Sequence, residues 1–130
     1  MIELPDLYPH QEDLRDRTRS ALAKHGRVIL TAPPGMGKTR TAKWILGAAA
    51  NRDANENQSG KSLFTVHRRG LVVNATDSFH EEPRLPHGVI MSGVQTSLGK
   101  LVQVASIDAL LSWFVDGGEY PSDITFDLIV

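Results

Sequence analysis

The stretch "TAPPGMGKTR", Thr31 to Arg40, decides the fold. It follows the β-branched apolar run "RVILTA" (27–32) and opens into "GKTRTAKWILGAAA" (37–50), whose composition is helical. A strand, a glycine-rich turn and a helix start, in that order, make a hollow of inward-pointing backbone N–H groups suited to phosphate oxygens. Gly35 and Gly37 permit the tight turn, and the helix N-terminus adds its positive dipole end. Lys38 brings a mobile ammonium to the β- and γ-phosphates, and the Thr39 hydroxyl suits a magnesium ion. Pro34, Gly35, Met36, Gly37, Lys38, Thr39 and Arg40 are therefore candidate nucleotide-binding residues. Lys38 and Thr39 take the catalytic roles, Thr39 is the metal ligand, and ATP and Mg2+ are the implied cofactors. The strict signature is G-x-x-x-x-G-K-[ST]; here Ala32 stands where its first glycine would be.

Outward from this loop the chain alternates. "PHQEDLRDRTRSALAKHG" (9–26) reads as a helix, with proline at its first position, acidic residues in its first turn and glycine at its stop. Leu14, Thr18, Ala21, Leu22 and His25 share one face, and Arg15, Asp16 and Arg19 fall largely outside it. The helix after the loop is expected to bury Trp44, Ile45 and Ala48. "NRDANENQSGKS" (51–62) is polar throughout and reads as an exposed connection. "LFTVH" (63–67), "GVIM" (88–91), "LVQVA" (101–105) and "FDLIV" (126–130) are short apolar strands, and "RRGLVVNATDSF" (68–79) and "SIDALLSWFVD" (106–116) are helices. Ser106 is a plausible cap for the last of these. "GGEYPSD" (117–123) is turn-rich. Short apolar strands alternating with helices predict an α/β fold, a parallel sheet with helices on both faces.

"APPGMGKT" resembles motif I of the superfamily-two helicases and nucleic-acid translocases, the DEAD/DEAH-like group. Other blocks extend the resemblance in the expected order. "LYPHQ" is similar to the glutamine element that precedes motif I, which implies that the Gln11 amide reads the adenine edge while Tyr8 packs against the base. "FTVHRRGLVVNATDSF" looks like motif Ia, and "GVIMSGVQTSLGKLVQVASIDALL" resembles the region of motifs Ib and Ic. The resemblance implies nucleic-acid contacts from His67, Arg68, Arg69, Gly93 and Ser106, with Gln103 packing or pairing inside its strand. It also implies a RecA-like P-loop NTPase fold, incomplete here: residues 1–130 would form the N-terminal portion of the first motor domain. Residues 1–26 would be its leading helix with the glutamine element, and residues 27–130 its sheet core. In this family the strand like "FDLIV" runs on into D-E-x-H or D-E-x-D, and a second RecA-like domain supplies arginine fingers. Neither is in this chain, so the 130 residues alone are expected not to hydrolyse ATP.

The bulk properties are permissive. With 41% hydrophobic and 22% charged residues, the 130-residue chain suits one soluble domain. A formal net charge of −1 leaves nucleic-acid binding to a local patch. The absence of cysteine excludes disulfides and thiolate metal sites, and fits a reducing cytoplasm. The acidic "MIELPDLYPH" is no signal peptide, no run is long enough for a membrane span, and a cytoplasmic protein is expected. The five histidines (His10, His25, His67, His80, His87) offer no pair at metal-ligand spacing on one helix. Trp44 and Trp113 read as packing residues. DNA is favoured over RNA as partner, although backbone contacts carry little information about the sugar. Two other readings stay open: a P-loop kinase-like NTPase, and a non-catalytic nucleotide- or nucleic-acid-binding module.

Overall fold

A computed structural model describes residues 2–29, 37–55, 61–91, 99–114 and 126–130. Helices α1 (Pro9–His25), α2 (Lys38–Asn55), α3 (Arg69–His80) and α4 (Ile107–Phe114) accompany strands β1 (Lys61–Val66), β2 (Gly88–Ile90), β3 (Val102–Ser106) and β4 (Phe126–Ile129). The strands form one sheet in the order β2-β3-β1-β4, and every neighbouring pair is parallel. Strand β3 is buried along its whole length, as expected of a parallel strand covered on both faces. Gln103 sits fully buried within it and donates from Nε2 to the Lys100 carbonyl at 3.0 Å, the local pairing expected of it.

Successive strand residues point to opposite faces, so the sheet feeds two cores. On one face Val102 and Val104 meet Leu46 and Ala50 of α2, Val72, Ala75 and Phe79 of α3, and Leu85. On the other, Leu63, Ile90 and Ala105 meet Ala109 of α4. Helices α2 and α3 thus cover one face and α4 the other. Helix α1 lies outside the sheet against α2 and stops where Gly26, at φ 73°, returns its N–H to the Leu22 carbonyl at 2.8 Å.

Several expectations need correction. Helix α2 continues to Asn55 instead of ending at Ala50, and so absorbs the start of the stretch read as an exposed connection. Its buried stripe is Thr41, Lys43, Leu46, Gly47, Ala49 and Ala50, while Trp44, Ile45 and Ala48 are half-buried. The reason is the seam with α1: Arg15 and Arg19, read as lying off the contact face, set their guanidinium groups over the Trp44 ring at 4.5 and 5.5 Å from its centroid. His25, placed on the apolar face, is exposed. Arg27, Val28 and Ile29, the first half of the expected "RVILTA" strand, form no strand, and Leu30 to Ala32 lie outside the described residues. "GGEYPSD" and the side chain of Trp113 also fall outside them.

A buried lysine that composition would assign to solvent ties α2 to α3. Lys43 Nζ donates to the carbonyls of Ser78 and Glu81, each at 2.9 Å, so the ammonium caps the C-terminus of α3. Burial pushes its pKa below the ordinary lysine value. Beyond α3, the His87 ring lies edge-on to Phe79 at 5.4 Å and 5.0 Å from the ring of His80. Burial first, and the neighbouring His80 in addition, hold His87 below the ordinary histidine pKa. The unfolded chain therefore binds a proton that the folded chain resists. Stability is expected to be flat above about pH 6.5, to fall as the pH drops below that value, and to level off once the lowered folded-state pKa is passed. Urea midpoints across pH 8 to 5 should show this slope, and His87→Gln should flatten it.

Candidate nucleotide and nucleic-acid sites

Gly37 initiates α2 from a left-handed backbone, φ 74°, which an L side chain rarely adopts. Its carbonyl accepts three donors: Thr41 N–H at 3.1 Å, Thr41 Oγ1 at 3.2 Å and Gln11 Nε2 at 3.5 Å. Thr41 is fully buried, so water does not compete for these bonds. The peptide at the head of α2 is thereby fixed, and the first-turn N–H groups beyond it have no intrahelical acceptor. Lys38, Thr39 and Arg40 are exposed at this end, and the first turn holds no acidic residue to oppose an anion. Arg40, expected among the phosphate ligands, turns elsewhere: its Nε donates to the Asp6 carbonyl at 2.6 Å, because the N-terminal segment runs beside α2. Pro34, Gly35 and Met36 lie outside the described residues.

Gln11 is 3% exposed and bridges the leading segment to the loop. Its Oε1 accepts from Tyr8 N–H at 2.9 Å while Nε2 faces the Gly37 carbonyl. The glutamine thus ties the leading segment directly to Gly37. Tyr8, 67% exposed, stacks parallel to His10 with ring centroids 5.9 Å apart and an interplanar angle of 9°.

The second cluster follows from register. Val66 at the end of β1 is paired with Ser106 at the end of β3, so the residues after each strand emerge side by side at the carboxyl edge of the sheet. His67, Arg68 and Arg69 are exposed there. Arg68 is the N-cap of α3, extended at φ −127°, and its carbonyl accepts from Leu71 N–H at 3.0 Å and Val72 N–H at 3.2 Å. Guanidinium charge and a helix N-terminus therefore coincide at one point. Ser106 is buried, and its Oγ accepts from Ala109 N–H at 3.2 Å. Its hydroxyl oxygen thus caps the start of α4. Gly93 lies outside the described residues.

Thr41 and Ala42, near the start of α2, line a cavity with Ile129 and Val130 at the carboxyl end of β4. The Val130 carbonyl accepts from Thr65 N–H near the end of β1, so the head of α2 lies toward the carboxyl edge that carries Arg68. In open α/β sheets this edge is where ligands bind. Sequence reasoning missed Thr41, Lys43 and Asn51, which hold backbone carbonyls or segments in place. Polar residues inside a helix carry no pattern that separates such anchors from solvated ones. Among the described residues no group of three or more His, Asp or Glu side chains could hold a metal ion, and no helix is long and apolar enough to cross a membrane.

The sheet, the glycine-turned helix start and the motifs in their order define the class: a RecA-like α/β P-loop NTPase, the N-terminal motor domain of superfamily-two helicase-like proteins. Within that class, residues 4–128 match the family described as the type III restriction enzyme, res subunit, and the chain belongs to it. It is thus an ATP-dependent helicase-like domain, of a kind that uses nucleotide. Comparison with curated proteins gives no match.

Proposed function

We propose that this chain binds ATP–Mg2+ at the N-terminus of α2 and nucleic-acid backbone at the start of α3, as the ATP-binding part of a helicase or translocase. The observation that carries the reading is the common edge. Thr41 and Ala42 at the head of α2 share a cavity with Ile129 and Val130 at the carboxyl end of β4, the edge of the sheet from which His67, Arg68 and Arg69 emerge after β1. Lys38 neutralises the β- and γ-phosphates, Thr39 ligates magnesium, and the loop of Pro34, Gly35 and Met36 supplies N–H donors. Gln11 and the exposed Tyr8 ring meet the base. The partner is DNA in preference to RNA, in keeping with the family's description as a restriction-enzyme subunit. Hydrolysis additionally requires a carboxylate that positions the attacking water and cationic groups that stabilise the charge on the γ-phosphate.

The test is a pair of binding assays with labelled ATP and labelled single-stranded DNA. Lys38→Ala is expected to weaken ATP by about tenfold to a hundredfold, the scale of a charge-assisted phosphate contact, and to leave DNA unchanged. Arg68→Ala is expected to weaken DNA, lower the salt dependence of its binding, and leave ATP unchanged. ATP binding that survives Lys38→Ala intact would refute the nucleotide assignment.

A further inference from the structure

The segment before α1 is fastened along α2 at points that nothing in the motifs predicts. Ile2 N–H donates to Asn51 Oδ1 at 2.7 Å and Asn51 Nδ2 donates to the Ile2 carbonyl at 2.8 Å, so one side-chain amide pairs with both polar groups of one residue. Four residues earlier on α2, Gly47 makes room for Leu4: a Cβ there would stand 2.8 Å from Leu4 Cδ2. Arg40 Nε then holds the Asp6 carbonyl at 2.6 Å. Asn51, Gly47 and Arg40 are spaced by four and seven residues, which puts them on one face of the helix. Extended chain from Ile2 to Asp6 covers roughly 13 Å, against roughly 16 Å of helix between Arg40 and Asn51. The anchors therefore hold the segment near full extension. It runs antiparallel to α2 from its last turns to its first, and delivers Tyr8 and Gln11 to Gly37.

We infer that residues 2–8 form a strap that sets the position of the base-recognising end of the nucleotide site, and that Asn51 is its distal anchor. Asn51 is a positioning residue, acting on the ligand through Tyr8 and Gln11. The consequence is selective. The head of α2 keeps both Thr41 bonds to the Gly37 carbonyl when the strap is released, so phosphate binding depends on the strap less than contact with the base, which depends on where the strap ends. Releasing Asn51 should thus reduce affinity for a nucleotide more than for its phosphate chain alone. This inference rests on the nucleotide-binding reading above.

The experiment compares ATP–Mg2+ with inorganic tripolyphosphate–Mg2+ by competition calorimetry on the full chain. Wild type is expected to favour ATP. Asn51→Ala should weaken ATP about tenfold, the scale of the lost amide pairing, and weaken tripolyphosphate by clearly less. Asn51→Asp, which keeps the size but sets a carboxylate against the Ile2 carbonyl, should do the same. In the Gln11→Ala background, Asn51→Ala should add little, since both act through one element. Unchanged ATP affinity in both Asn51 variants would overturn the inference, as would equal losses for ATP and tripolyphosphate, which a general loosening of α2 would give. A wild-type chain that binds neither probe would instead overturn the nucleotide reading itself, and the inference with it.

Discussion

Gly37→Val is expected to abolish measurable ATP binding and to destabilise the fold at the same time. Two independent causes act at this one residue. The backbone there is left-handed at φ 74°, and a β-branched side chain in that region costs about 1–3 kcal/mol. A Cβ would also collide with the Gln11 amide nitrogen and stand 3.3 Å from Gln11 Cδ. The glutamine would have to leave the Gly37 carbonyl, and relief of the backbone strain would turn the peptide that Thr41 anchors. The first-turn N–H groups of α2 would lose their common aim. Urea unfolding should register the loss of stability and ATP titration the loss of the site. Gly26→Val is the matched control. It has the same left-handed backbone, φ 73°, with nothing within 4 Å of an added Cβ, so it should cost stability and spare ATP binding.

Phe79→Ala is expected to cost about 3–5 kcal/mol, the range for truncating a large buried aromatic. Phe79 has no exposed surface, and its ring packs edge-on against Phe64 of β1 at 5.5 Å and against His87 at 5.4 Å. It lies in the last turn of α3, next to the Ser78 carbonyl that Lys43 caps. The cavity would therefore open where α2, α3 and the sheet meet. For a domain of this size the loss is a large share of the total stability. Thermal melting and urea midpoints should both shift strongly, and Phe79→Leu, which keeps most of the volume, should shift them less.

How much of this was readable in the sequence varies by element, for physical reasons. The strands at 63–67, 88–91, 101–105 and 126–130 were legible because β-branched and apolar residues in short runs have few other uses. The helix at 68–79 was legible despite Val72 and Val73, because Val72, Ala75 and Phe79 keep helical spacing toward the core. Ser106 was legible as a helix cap because a serine directly before a helical run suits that position, and its oxygen accepts from Ala109 N–H. The buried stripe of α2 was misjudged because Ala- and Gly-rich helices look alike from several sides. Their facing is chosen by neighbours, here α3 on one side and the arginines of α1 on the other. Lys43 and Asn51 were invisible since each is anchored to backbone groups far away in sequence. At the proposed site, Lys38, Thr39 and Gly37 rest on motif chemistry, and the structure adds the left-handed turn at Gly37 and its Thr41 anchor. The turning of Arg40 toward Asp6 followed from the path of the N-terminal segment, which no motif encodes.

We propose that two ligands meet this sheet at two defined points on one edge. Amide chemical-shift mapping on the labelled 130-residue chain tests it most directly, by titrating ATP–Mg2+ and single-stranded DNA separately. The predicted result is that ATP moves the resonances of Gln11 and Gly37 to Thr39, while DNA moves those of His67 to Leu71. ATP shifts that spare Gly37 to Thr39, or DNA shifts that spare His67 to Leu71, would contradict it.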